Sequence, residues 1–228
     1  MTFLELCQAV ALYSGTGDGN KPTTVTGQTG RLALIVNWVQ DAWQELQYSR
    51  NAWGFMRSDF TSELIGGQAE YTADDLGITD HAQWVQDGVM TIYLETDQAG
   101  ESFLPWIDYR LWKEQYDRGT PTDTKPTCVA MSPDNKLCFG PKPDTANTYV
   151  VRGQYIKAPQ ELTSDADEPS LPERFHKIIM WKALISLADF DEAATHMQTA
   201  RRRYGELLFA LERDQLHERI TIGAPALA

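Results

Sequence analysis

The feature that most constrains this chain is the stretch from Leu171 to Gln215, led by Ser170. Phe175, Ile178, Ile179, Lys182 and Ile185 recur at three- and four-residue spacing, apolar except for the lysine stem. Trp181, Leu184 and Leu187 add a second apolar stripe. A helix apolar around so much of its girth has to be enclosed on several sides. Ser170 followed by Glu173 forms a capping-box pattern, and Pro172 suits the first helical turn. The Ala-Asp-Phe-Asp-Glu-Ala stretch, 188–193, is expected to break the helix. Beyond it Ala193, Met197, Ala200, Tyr204, Leu207, Leu208 and Leu211 give a narrower stripe, with Arg201, Arg202 and Arg203 on the other face.

Two further helices are expected before it. Thr2 is placed to cap the first, with Glu5 three residues on, and Phe3, Leu6, Cys7, Val10 and Ala11 follow a helical period. That helix ends near Ser14-Gly15. Residues 14–28 are polar and rich in Gly and Thr. They do not form a phosphate-cradling loop, because Lys21 is followed by Pro22 and the stretch follows a helix, not a strand. The expectation is a flexible, partner-contacting loop through Gly15, Gly17, Asp18, Gly19 and Lys21. Thr29 or Thr26 can cap the second helix, whose apolar face is Leu32, Ile35, Val36, Val39, Trp43 and Leu46. Trp38 lies off that face. Trp43, Ile179 and Leu184 are the expected core anchors.

After Trp53 the pattern turns from helical to alternating. Met56, Phe60 and Leu64 share one side, Gly66-Gly67 turns, and Glu70-Tyr71-Thr72 can return as a strand. Gly88 to Glu95 is the best strand candidate, being β-branched and aromatic. Pro105 to Gly119 is a short helical interruption. Two apolar runs around Ser132-Pro133-Asp134-Asn135 form a hairpin, and Thr148 to Ile156 is the last strand. The fold class is therefore α+β. A bundle of about four helices (1–52 and 158–217) carries a β-rich insertion (53–157), and an extended tail (218–228) follows. Five or six short strands closing into a small sandwich or barrel would bury the insertion's aromatics.

Composition limits the function. The chain has 228 residues, a net charge of −12, 42% hydrophobic residues and seven Trp. That charge favours solubility and argues against a protein whose whole surface grips nucleic acid. The three cysteines, Cys7, Cys128 and Cys138, form no C-x-x-C pair and read as reduced, buried thiols. Cys128 and Cys138 could face each other across the hairpin. No basic patch precedes an apolar run at the N-terminus, so no signal peptide is expected. No window reaches the ~20 apolar residues of a membrane span.

The order VTGQTGRLALIVNWVQDAWQELQ, NAWGFMRSDF and PWIDYRLWKEQY is characteristic, as are the residues that follow. These are Pro-x-Pro-Asp-x-x-x-x-Tyr from Pro141 to Tyr149, the tyrosine strand ending in Ala158-Pro159, and DADEPSLPERFHKIIMWKAL before the closing helix. Together they resemble the head-to-tail connector, or adaptor, proteins of tailed bacteriophages, the group that includes the tail tubular protein A type. The resemblance covers most of the chain. It implies a helical bundle with a β-rich insertion, no cofactor and no catalysis. It also implies a virion neck component assembled in the host cytoplasm. Such a component forms a homo-oligomeric ring of about twelve copies. The portal protein lies above the ring, nozzle or other tail proteins lie below, and double-stranded DNA passes transiently through it.

An enzyme is the first alternative. His176 and His196 lie on the paired helices, with Asp189, Asp191 and Glu192 between them. No His-Glu-x-x-His is present, and Glu-x-x-His occurs once, at Glu173 and His176, without the second copy that a paired-helix metal site requires. Nor is there a Gly-x-Ser-x-Gly elbow. Ser164 to Ser170 lacks the Gly and distal Glu of a calcium loop. A carbohydrate- or protein-binding β module using exposed Trp84 and Trp106 is a second alternative. A tail-completion ring is a third. Portal contact is expected from Arg201, Arg202 and Arg203 and from the apolar tail residues Ile220, Ile222 and Leu227, which have no periodic place in the bundle.

Overall fold

The computed structural model describes residues 1–15, 21–50, 53–86, 89–119 and 121–216. In chain order the helices are α1 (Phe3–Tyr13), α2 (Gly30–Tyr48), α3 (Tyr109–Trp112), α4 (Lys177–Phe190) and α5 (Ala194–Gln215). The strands are β1 (Arg57–Leu64), β2 (Glu70–Tyr71), β3 (His81–Trp84), β4 (Thr91–Leu94), β5 (Asp97–Phe103), β6 (Cys128–Met131), β7 (Leu137–Gly140) and β8 (Tyr149–Lys157). The chain divides into two compact units: Met1–Met56 with the residues from Pro159 onward, and Arg57–Ala158.

In the helical unit α4 is the hub, packing against α1, α2 and α5. It buries Ile178, Ile179, Met180, Ala183, Leu184, Leu187 and Ala188. From α1 come Phe3, Leu6, Cys7, Val10 and Ala11, and from α2 Ile35, Val36, Val39, Ala42, Trp43 and Leu46. The α1 cap is a full capping box: Thr2 Oγ1 accepts from the Glu5 amide, and the Thr2 amide donates to Glu5 Oε2 at 3.0 Å. Thr29 stands at the N-terminus of α2 without a side-chain cap bond. The buried Gln47 ties in the returning chain. Its Nε2 donates to the Gln160 carbonyl at 3.0 Å, and its Oε1 accepts from the Gln160 amide at 2.7 Å. A buried amide paired in this way carries little desolvation cost.

The expected capping box at Ser170 and Glu173 does not form. A 3₁₀ turn, Glu173–Phe175, precedes α4, and the Ser170 amide donates to Gln160 Oε1 at 2.8 Å. Tertiary contacts prevail over the local cap: Leu171 and Phe175 are buried, and the buried His176 bonds the Leu171 carbonyl through Nε2 at 2.9 Å.

In the β unit the described strands form two antiparallel sheets, one of five strands and one of three. In the larger sheet β8 is the centre. It pairs with β1 along its length, from Arg57 opposite Ile156 to Leu64 opposite Tyr149. Its other side pairs with β4 near Tyr149–Arg152 and with β3 near Tyr155–Lys157. The smaller sheet runs β2-β7-β6. The segment Glu70–Tyr71 turns away from β1 and pairs with β7 in the smaller sheet. The turn is held by Gly67 at φ +82° and by the Tyr71 hydroxyl, which bonds both the amide and the carbonyl of Ile65. Phe60, Leu64, Tyr71, Trp84, Ile92, Val129, Leu137, Phe139, Val151 and Tyr155 make one core cluster.

Cys128 and Cys138 do not face each other; their cross-strand partners are Gly140 and Ala130, and all three cysteines are free and buried. Trp84 is not an exposed binding aromatic: it is buried and donates from Nε1 to the Asn135 carbonyl at 2.9 Å. Trp106 is half-buried.

Two substitutions check this packing by urea unfolding. Leu184→Ala should cost ~2–5 kcal/mol. At Gly153 a Cβ would lie 2.8 Å from Phe60 Cε1 and 3.0 Å from Met90 Cε, so Gly153→Ala should overpack the core. The expected cost is about 1–3 kcal/mol. Unchanged midpoints would contradict the packing.

Candidate docking surface

The outer helix α5 carries the expected arginines. Of its 22 residues only Ala200 and Leu211 are buried, while Met197, Tyr204, Leu207 and Leu208 are half-covered. Arg201, Arg202 and Arg203 are exposed. Arg202 and Arg203 share the single carboxylate of Glu206, at 3.7 and 3.2 Å, and Arg201 forms no ion pair among the described residues. Two guanidinium groups thus share one carboxylate with a third beside them, and the face stays positive. Phe209, 63% exposed, continues it, with the Arg213 guanidinium 5.9 Å from its ring. Arg202, Glu206, Phe209 and Arg213 follow the helical period, so this is one face. Exposed aromatic and arginine side chains are the residue types that anchor protein interfaces.

An arginine–aspartate pair anchors each end of α5. Before its N-terminus, Arg31 grips Asp191 as a fork, Nη1 to Oδ1 at 2.9 Å and Nη2 to Oδ2 at 2.5 Å. Near its C-terminus Arg174 bonds Asp214, and Arg50 bonds Glu212 at 2.5 Å. The hydrogen bond from Arg31 lowers the pKa of Asp191, and that from Arg174 lowers the pKa of Asp214. Lys182 reaches Glu45 at 2.6 Å with its ammonium 5.7 Å from the Tyr204 ring. Such part-exposed pairs each contribute little, because solvent screens them. With so little of α5 buried, they still decide how firmly it is held.

The other sequence candidates fall elsewhere. Gly15 ends α1's turn at φ +69°, and Lys21 is exposed. Gly17, Asp18 and Gly19 lie outside the described residues, as do Ile220, Ile222 and Leu227. The second half of the 14–28 loop, beyond Lys21, is tied to the rest of the helical unit. Pro22 and Val25 are buried, and the Val25 amide donates to Asp165 Oδ1 at 2.6 Å. Trp43, Ile179 and Leu184 are buried. His176 and His196 are not brought together, since the 14 residues of α4 separate them, roughly 21 Å of helix. Among the described residues no three His, Cys, Asp or Glu cluster as a metal site. The acids of 164–170 serve the backbone: Asp167 Oδ2 accepts from the Thr163 and Ser164 amides at 2.7 and 2.8 Å. Sequence reasoning found the arginines but missed Phe209 and the two anchoring aspartates, whose partners are distant in the chain.

An outer helix so little buried, positive and aromatic on one face, is the build of a protein that works by contact with other proteins. Residues 1–223 match the family model described as SU10 adaptor protein. The chain belongs to that family, a phage adaptor family, and is a structural adaptor protein. No curated protein matches it. No described helix is long and apolar enough to cross a membrane.

Acid should loosen α5 first. A carboxylate whose folded pKa is lowered contributes fully above its ordinary value, and the contribution is lost as pH falls through the lowered one. Hydrogen exchange should therefore show α5 amides losing protection below about pH 4, ahead of α4. Asp191→Asn combined with Asp214→Asn should reproduce the loss at neutral pH. Equal protection of α5 and α4 in that variant would contradict the anchoring role.

Proposed function

We propose that this chain is a head-to-tail connector of a tailed-phage virion, akin to the tail tubular protein A group. Copies form a homo-oligomeric ring of about twelve subunits. The ring seats below the portal protein, offers its lower face to nozzle or other tail proteins, and leaves a channel for DNA. The observation that carries this reading is the SU10 adaptor match across residues 1–223. Two physical features support it. The net charge of −12 suits a channel that double-stranded DNA must traverse with little residence, since phosphates are held by basic and not acidic walls. The positive outer face of α5 stands apart in so acidic a chain, and it is suited to an acidic partner surface, for which the portal is the candidate. The reaction is assembly, and its site is this surface; no residue is given a catalytic role and no cofactor is required.

The test is attachment to purified portal. Replacing Arg201, Arg202 and Arg203 together by Glu should leave the far-ultraviolet circular dichroism unchanged, because all three are exposed. Portal affinity should fall at least about tenfold, and in the unmodified chain it should weaken as salt is raised. Full affinity of the triple variant in moderate salt would remove α5 as the portal contact.

A further inference from the structure

At the end of the helical unit away from Gln215, a groove of about 180 Å³ opens between the last turn of α1, the C-terminal half of α4 and the first turns of α5. Tyr13, Trp181, Leu184, Leu187, Ala188 and Ala200 make it mainly apolar, and the exposed Thr199 stands at its rim. Tyr13 meets Trp181 edge-on at 5.3 Å. Beside these residues in the chain, Leu12 and Phe190 are 69% and 62% exposed. Sites for drug-sized molecules start near ~300 Å³, whereas a dry cavity of ~150 Å³ holds a single benzene. This groove therefore has room for one or two aliphatic side chains and none for a cofactor. Exposed apolar surface rimmed by polar groups marks a site of contact.

We propose that the groove receives the C-terminal segment Arg219–Leu227 of a second copy of this chain. Ile220 and Ile222 would seat together, because residues i and i+2 of an extended strand point the same way. Gly223 and Pro225 keep the segment from docking as a helix. Charge agrees: the turn at the groove's edge carries Asp189, Asp191 and Glu192, and Arg219 immediately precedes Ile220. Arg31 already takes Asp191, leaving Asp189 and Glu192 exposed for the incoming guanidinium.

Chain length determines which copy supplies the segment. From Gln215 back to Ala200, the nearest groove residue on α5, the helix runs ~22 Å at 1.5 Å per residue. Ile220 lies five residues beyond Gln215, within ~18 Å when fully extended. It cannot sit beside Ala200 of its own chain, and Ile222 reaches that level only when drawn taut. The seat for the pair belongs to a neighbour. This inference draws on the ring reading for the neighbour's presence, and it gives the contact between neighbours a chemical form.

The experiment needs neither ring nor portal, so its failure is separable from failure of the connector reading. A fluorescent peptide of residues 216–228 is titrated with the full chain in moderate salt, and anisotropy is read. Saturable binding is expected. It should weaken at least about tenfold when Thr199→Arg places bulk and like charge at the rim, or when the peptide carries Ile220→Asp and Ile222→Asp. Thr199 is exposed, so circular dichroism of that variant should match the parent. In a second measurement the full chain carries Thr199→Cys and Ile222→Cys. The native thiols are buried, so oxidation should give covalent ladders longer than a dimer, which a single variant with one exposed thiol cannot give. Absent binding, binding indifferent to Thr199→Arg, or crosslinks confined to one chain would overturn the proposal. A chain lacking 219–228 that loses portal binding, with a peptide that ignores the groove, would assign the segment to the portal and overturn it as well.

Discussion

The structure depends on covering one helix. α4 presents apolar side chains around most of its girth, from Ile178 through Ala188, and α1, α2 and α5 all pack on it. A fully buried aliphatic side chain contributes about 1.5–3 kcal/mol, so no arrangement that leaves α4 half open can compete. Two of the covering helices lie early in the chain and the third lies after α4. The helical unit can close only if residues far apart in sequence meet, and everything between them must leave and return.

That requirement explains the architecture of the β unit. Arg57 pairs with Ile156, so the first and last strands of the unit run side by side and its entry and exit are adjacent. β8 makes this possible by pairing on both edges, with β1 on one side and with β4 and β3 on the other. Gly153 sits at its middle, where Phe60 and Met90 approach too closely for any Cβ. An insertion whose ends meet asks little of the fold it interrupts, because the host helices see no change in the distance they must span.

Sequence revealed what was local and periodic. The girth of α4, the Thr2 capping box and the Asp134-Asn135 hairpin all follow from spacing within a few residues. What it missed was non-local. β5 is exposed at every position and β3 buries only Trp84, so neither shows the alternation that betrays a strand. The Ser170 cap was a sound local pattern that lost to Gln160, ten residues away. The arginines of α5 were legible as a charged face. The groove was not, because Tyr13, Trp181 and Ala200 come from three helices. The pinning of the Pro22–Val25 stretch by Asp165 was hidden for the same reason.

α5 joins the two aspects of the molecule. It is the least buried of the four bundle helices, so it gives the core little and keeps most of its surface for partners. Ion pairs at its two ends hold it without committing its outer face. The central claim is that such subunits close into a ring against a portal, with α5 at the contact. Electron microscopy of the purified chain mixed with purified portal tests it most directly. The account predicts a single closed ring of this chain on one face of the portal, with α5 density against the portal surface. Bare portals beside unassembled subunits, or a ring that meets the portal through the β unit alone, would contradict it.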